Sequence, residues 1–193
     1  MPSPRPSPLE GPGPWGDQSR HLPFALLEQG LSRHAPPRDV GALALIVSRR
    51  EAGLRETPAE AMLTAKEGVP GDAWARKTPP KPEAQLTLMR IDVARLLAGG
   101  QPLSLFGDNL LVDLDLSTVN LPTGSRLQLG GAILEVTEKP HAGCAKFRQR
   151  FGADALRLTA APPLQSLRLR GIYAKVVQDG RVALRDPITV LCR

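Results

Sequence analysis

Apolar and polar residues along the chain fall into short strand-like runs punctuated by glycine and proline. Leu110, Val112, Leu114 and Leu116 share one face of an alternating stretch, with Leu111, Asp113 and Asp115 on the other. Gln85–Met89 alternates in the same way. Residues 41–48 form a continuous apolar run, which predicts a strand buried on both faces. Residues 126–129 and 132–137 flank Gly130-Gly131, a two-residue hairpin signal. Residues 171–177 and 181–184 flank Gln178-Asp179-Gly180 and predict a second hairpin. A final strand is expected over 187–192. Many short strands joined by glycine turns predict a mainly β protein, a compact closed barrel that leaves no sheet edge exposed.

Helical signals are fewer and short. Thr57-Pro58-Ala59-Glu60 reads as N-cap, first-turn proline and capping-box glutamate, predicting a helix from Pro58 to Lys66 that ends at Gly68. Residues 92–98 predict one or two turns closed by Gly99-Gly100. Residues 145–151 predict a short helix just after Cys144. Residues 22–32 predict an amphipathic helix ending near Gly30. The first 20 residues are proline-rich and cannot bury enough surface to order themselves, with Trp15 the one group able to dock. The expected organisation is an N-terminal arm over 1–38, carrying the short helix, and a barrel domain over 41–193.

Composition agrees with this picture. Twenty prolines and 18 glycines in 193 residues favour turns over long helices. Aromatics make up only 4%, so the core is expected to be Leu, Val, Ile and Ala. The net charge of +6 would suit nucleic acid, an anionic surface or an anionic small ligand. The arginines are scattered, however, and a single Tyr gives little material for base stacking, so nucleic acid is not the expected partner. No run approaches the ~20 apolar residues of a membrane helix, and two cysteines do not make a disulfide framework. A cytoplasmic, reduced protein without a membrane partner is the expectation.

The chemistry concentrates in residues 139–147. This stretch holds Cys144, one of two cysteines, His141, one of three histidines, and Lys139 and Lys146. A thiol acts as nucleophile or metal ligand only as thiolate, a form favoured by nearby cations and a helix N-terminus. Here both features are expected beside Cys144. His141 could tune that thiol or donate a proton, or simply be a loop histidine bonded to backbone. Cys144 could equally be a small apolar residue packed under a loop. The two cysteines lie far apart and the histidines are scattered, so no zinc spacing exists. Asp113 and Asp115 are best read as a solvated face. Hydrolase and phosphate-loop motifs are missing from the sequence.

Several segments then occur in a telling order. They are Leu45-Ile46-Val47-Ser48-Arg49-Arg50, Lys66-Glu67-Gly68-Val69-Pro70-Gly71-Asp72, Gly107-Asp108-Asn109-Leu110, residues 124–130, residues 134–137, the His141/Cys144/Lys146 stretch, residues 171–176 and residues 179–182. Over roughly 41–193 this series resembles a MOSC domain, the module named after the C-terminal part of molybdenum-cofactor sulfurases. The resemblance implies a closed β-barrel of the MOSC or pyruvate-kinase-barrel kind with a few short peripheral helices. It implies a cysteine near the barrel mouth, here Cys144, that contacts molybdenum cofactor (molybdopterin) as metal ligand or carries sulfur. Stand-alone members are associated with reduction of N-hydroxylated compounds.

On that reading Cys144 and His141 are the candidate catalytic residues, and Cys144 is the candidate metal ligand. Cys144, Lys146, Arg49, Arg76 and Asn109 are the candidate cofactor-binding set. Soft thiolates suit such a metal, and the cofactor's phosphate needs cationic partners, for which Arg50 and Arg55 are also at hand. A separate electron-donor or sulfur-donor protein is implied, since no flavin, haem or iron–sulfur signature is present. Pyridoxal phosphate is not expected, because the chain has no room for that half of full-length sulfurases. The chain departs from the family pattern in three places. Gly143 rather than proline precedes Cys144, Asp108 replaces glutamate in Gly-Glu-Asn-Leu, and Arg185-Asp186 stands for Gly-Asp near the last strand. Whether the protein is an oxidoreductase or a sulfur carrier is left open by the residues, as is a non-enzymatic barrel module that binds another anionic ligand.

Overall fold

A computed structural model describes residues 15–31 and 35–193; most of the proline-rich arm, residues 1–14, lies outside them. In chain order the elements are α1 (Phe24–Leu31), β1 (Val40–Ile46), β2 (Ser48–Arg49), β3 (Arg55–Glu56), β4 (Glu60–Leu63), β5 (Leu86–Arg90), α2 (Ile91–Ala98), β6 (Leu110–Asp113), β7 (Arg126–Leu129), β8 (Ala132–Val136), α3 (Ala145–Phe151), α4 (Ala153–Ala160), β9 (Ile172–Gln178), β10 (Gly180–Ala183) and β11 (Pro187–Cys192). Among the described residues, seven strands close a barrel in the order β1-β11-β7-β8-β9-β5-β6. The ring is completed by the β1/β6 pair, with Ile46 opposite Leu110. Neighbours are antiparallel except β5 and β6, which run parallel. Parallel neighbours need a crossover, and α2 supplies it.

Strand alternation builds two apolar layers. Leu43, Ile46, Leu86, Leu88, Leu110, Val112, Leu127, Leu134, Ile172 and Ile188 fill the barrel interior. Met89 and Leu111 point outward from β5 and β6, where they join Leu27, Leu97, Phe106, Phe147, Phe151 and Leu158 beneath the helices. The predicted two-face burial of the first strand is explained by this arrangement: Leu43 and Ile46 face the interior, while Ala44 and Leu45 pack against the outer layer. Leu114 and Leu116 stay buried in the interior although β6 itself ends at Asp113. Asp115 turns back to accept from the Ser117 backbone N–H at 2.9 Å and its hydroxyl at 3.1 Å.

Two expectations are corrected. The capping-box segment is not a helix: residues 60–63 form β4, paired antiparallel with β10. Leu63 is fully buried and Ala61 packs on the barrel core, while Met62 between them is exposed. That is a period of two, and burial along it outweighs the local helix signal. The second predicted hairpin also fails as a pairing. Both strands exist, but β9 is flanked on one side by β5 and on the other by β8. With both edges taken, β10 leaves the barrel and joins β4 instead.

The N-terminal segment packs onto the helical layer. Leu27 of α1 is fully buried there. The Phe24 backbone N–H donates to Asp154 at 3.0 Å, and the Phe24 ring lies 3.9 Å beneath the Arg157 guanidinium. His21 bonds the Arg150 carbonyl at 3.1 Å.

Candidate functional site

β8 ends at Val136, and the chain then crosses the outer face of β9. The Thr137 N–H donates to the Tyr173 carbonyl at 3.0 Å. Tyr173 points outward, between the inward Ile172 and Ala174. The His141 ring packs on the Tyr173 ring with centroids 4.5 Å apart, and Lys139 lies 5.9 Å above the same ring. Pro140 and Gly143 keep this stretch from continuing as strand. Helix α3 begins at once, with Cys144 as its N-cap residue and the Arg148 N–H returning to the Cys144 carbonyl at 3.0 Å. The Cys144 thiol is exposed. Helix α3 is clamped from below by Phe147 and Phe151, and Phe151 stacks on Phe106 with centroids 3.9 Å apart. The loop thus lies against the outer wall of the barrel, whose interior is filled with apolar side chains.

A second loop meets it there. After Phe106 the chain turns at Gly107 in the left-handed region (φ 72°), alongside which the Arg49 and Arg55 side chains pass. Asp108 follows and is 1% exposed. One of its carboxylate oxygens accepts from the Arg170 guanidinium at 2.6 Å. The other lies 3.6 Å from His141 Nδ1, beyond hydrogen-bond reach. Asp108 Oδ1, His141 Nδ1, Arg170 Nε and Arg55 Nε are all buried without a partner. Four such atoms around one loop are unusual for a protein interior, where buried polar groups are normally paired. The Arg170 guanidinium lies 4.9 Å over the Phe147 ring. Burial, aided by Arg170 and Arg49, pushes the His141 imidazole down to about 4 against the opposing pull of Asp108, so the ring is neutral at pH 7.

Guanidiniums crowd this corner. Burial lowers the pKa of Arg55, and Arg150 and Arg49 lower it further. Burial likewise lowers Arg150, with Arg170 adding to the effect and Cys144 opposing it, which places the thiol within the field of that guanidinium. Arg49 is different. Burial disfavours its charge, but the bidentate contact with Asp72 at 2.5 and 3.0 Å outweighs that and raises its pKa. Asp72 is also buried, and Arg49 together with the Trp74 N–H holds its carboxyl below the ordinary range.

The sequence candidates therefore divide. His141 and Arg49 share the corner around Asp108, and Cys144 follows three residues after His141 on the same loop. Asn109 sits directly behind it, fully buried, accepting from the Thr87 N–H and hydroxyl at 3.2 and 3.1 Å and donating to the Val47 carbonyl at 3.3 Å. Arg76 fastens its loop to β2 through the Gly71 and Arg49 carbonyls. Lys146 lies exposed on α3. Sequence reasoning passed over Asp108 and Arg170 as site residues and read Arg150 only as part of a helix. The one signal available was the Asp108 departure from the family pattern. Beside the cysteine loop a cleft of about 670 Å³ opens, walled by Lys139, His141, Gly143, Leu156, Arg168 and Arg170 among others.

Among the described residues no three His, Cys, Asp or Glu side chains converge as a metal site. The exposed thiol, the disfavoured charges on Arg55 and Arg150, and the orphaned Arg55 Nε fit a soft metal carried by an anionic organic group. Among the described residues no helix is long and apolar enough to cross a membrane.

Comparisons with known proteins agree with the geometry. A hypothetical protein of known crystal structure is 20% identical with a TM-score of 0.57, covering 81% of this chain and 70% of its own. YuaD from Bacillus subtilis is 22% identical with a TM-score of 0.52, covering 78% of this chain and 94% of its own. YiiM from Escherichia coli is 22% identical with a TM-score of 0.52, covering 79% and 70%. At these identities the likeness is one of fold. No curated protein matches the sequence. The MOSC domain profile matches residues 72–189, more than half of the chain, and includes both loops that build the thiol corner. With the closed barrel and this match together, the chain belongs to the MOSC domain family, which is associated with molybdenum cofactor.

Proposed function

We propose that the protein binds molybdenum cofactor at the α3 N-terminus, with Cys144 as the metal's protein ligand. It would use the cofactor to reduce small N-oxygenated compounds or to transfer sulfur. The observation that carries this reading is the exposed Cys144 thiol in the field of Arg150, with Arg55 next to Arg150 in turn; burial and neighbouring arginines disfavour the charge on both guanidiniums. Such a corner is stabilised by an anion. The cofactor would supply two-electron redox chemistry at a soft metal.

The chain's own residues would do the rest. Arg55 and Arg150, with Lys146 at the rim, would take the phosphate. Arg49 and Arg76 would keep the flanking loop in place, and Asn109 would fix the strand ends behind the site. His141, neutral at pH 7, could accept a proton at its unpartnered Nδ1. The cleft beside the loop has room for a small substrate. Electrons or sulfur would come from a separate protein.

A second reading is a non-enzymatic module that holds some other anion, since the arginine corner would attract one without help from the thiol. Molybdenum and pterin, measured in protein purified from a cofactor-making host, separate the two. The first reading expects near-stoichiometric metal in wild type and at least a tenfold loss in Cys144→Ala. Wild-type protein free of both metal and pterin would sink it.

A further inference from the structure

We propose that Asp108 is a positioning residue for Cys144: through Arg170 and His141, one buried carboxylate fixes both chain segments that flank the thiol. On the C-terminal side, Asp108 grips Arg170 at 2.6 Å, and Arg170 lies 4.9 Å over Phe147, in the first turn of the helix that Cys144 caps. On the N-terminal side, the other Asp108 oxygen faces the His141 ring, three residues before the thiol, and Tyr173 backs that ring. The Gly143 position is closed from the far side, where an added Cβ would come within 2.4 Å of Leu156. Asp108 in turn is held by its neighbour: the Asn109 backbone N–H donates to the Thr87 hydroxyl at 3.0 Å, tying the loop to β5.

A purely stabilising role does not explain the arrangement. A buried ion pair is often no better for stability than apolar groups of the same shape. This one leaves Asp108 Oδ1, Arg170 Nε and His141 Nδ1 buried and unpartnered. The residues are better explained by what they hold in place.

The proposal rests on Cys144 being the working thiol, but its test needs no cofactor and so can fail independently of molybdenum binding. The full chain, expressed without cofactor, carries two exposed thiols, and Cys192 on β11 serves as an internal control. Each thiol is alkylated with anionic iodoacetate and with neutral iodoacetamide, and both sites are quantified by peptide mass spectrometry. Guanidiniums beside Cys144 favour the anionic reagent, so its iodoacetate-to-iodoacetamide ratio should exceed that of Cys192. Asp108→Asn should lower the Cys144 ratio at least threefold and leave Cys192 unchanged. The substitution also removes a negative charge, which alone would raise the Cys144 ratio, so such a fall reports the thiol's displacement from the guanidiniums. Asp108→Glu, which keeps the charge, should retain most of the ratio. If Asp108→Asn loses its cooperative melt, His141→Gln decides. That variant keeps the Asp108–Arg170 pair and frees only the loop, and it should lower the Cys144 ratio about twofold. A Cys144 ratio that is unchanged or raised in the folded Asp108→Asn protein, or unchanged in His141→Gln where that variant decides, overturns the proposal.

Discussion

His141 shows how single side chains set the behaviour of the site. Its ring is packed on Tyr173 and faces a buried carboxylate, yet burial and two guanidiniums still lower its pKa to about 4. The unfolded chain would bind this proton near 6.5, so between about 6.5 and 4 the unfolded state holds more protons than the folded one. Stability therefore falls as pH drops through that window, by about 3 kcal/mol for this group, and falls no further on its account below it. Urea unfolding at pH 4 to 7 should show this slope in wild type and a flatter one in His141→Gln. Equal slopes would place the ring in a more solvated setting. The Asp72 contribution lies in a separate window, because its lowered pKa means it is lost only below the ordinary carboxylate range. Cys144 and His141 were legible in the sequence because both residue types are rare and the flanking proline, glycine and lysines made their loop conspicuous. Asp108 and Arg170 were not, since they are 62 positions apart and only barrel closure brings them together.

At the scale of elements, strand existence was easier to read than strand partnership. The Gly130-Gly131 hairpin has both strands adjacent in the barrel, with Leu129 opposite Ala132. The segment around Gln178-Asp179-Gly180 carries an equally good turn, but which strand lies beside β9 is decided by long-range closure. Residues 57–60 spell a helix start that is overruled for the same reason: β10 leaves the barrel and needs an edge to pair with. Short elements of this kind depend on side-chain anchors. β2 is two residues long, and it is tied to the following loop by Arg49 and Asp72. Arg49→Ala strands the buried Asp72 carboxylate and should cost about 3 kcal/mol or more in denaturant unfolding. Arg49→Lys should recover less than half of that, because a lysine cannot reproduce the two-pronged contact. A loss under about 1 kcal/mol in Arg49→Ala would mean that water already reaches Asp72.

Across the whole molecule, two apolar layers divide the work. The barrel interior closes the sheet, and the outer layer of Leu27, Met89, Leu111 and the three phenylalanines seats the helices that present the thiol. The barrel and the short helices at 92–98 and 145–151 followed from the sequence. The packing of α1 onto α4 did not, because an amphipathic stretch does not name its partner. The net charge of +6 was read as scattered, and along the chain it is. Folding gathers Arg49, Arg55, Arg150 and Arg170 from four separate segments into one cluster, with Arg150 in the field of Cys144. That convergence favours an anionic ligand and underlies the proposed ligation of a molybdenum cofactor's metal by Cys144. X-ray absorption at the molybdenum edge tests it most directly, on protein loaded in a cofactor-making host. The number of sulfur neighbours to molybdenum should fall by one from wild type to Cys144→Ser. An identical sulfur shell in the two proteins would contradict it.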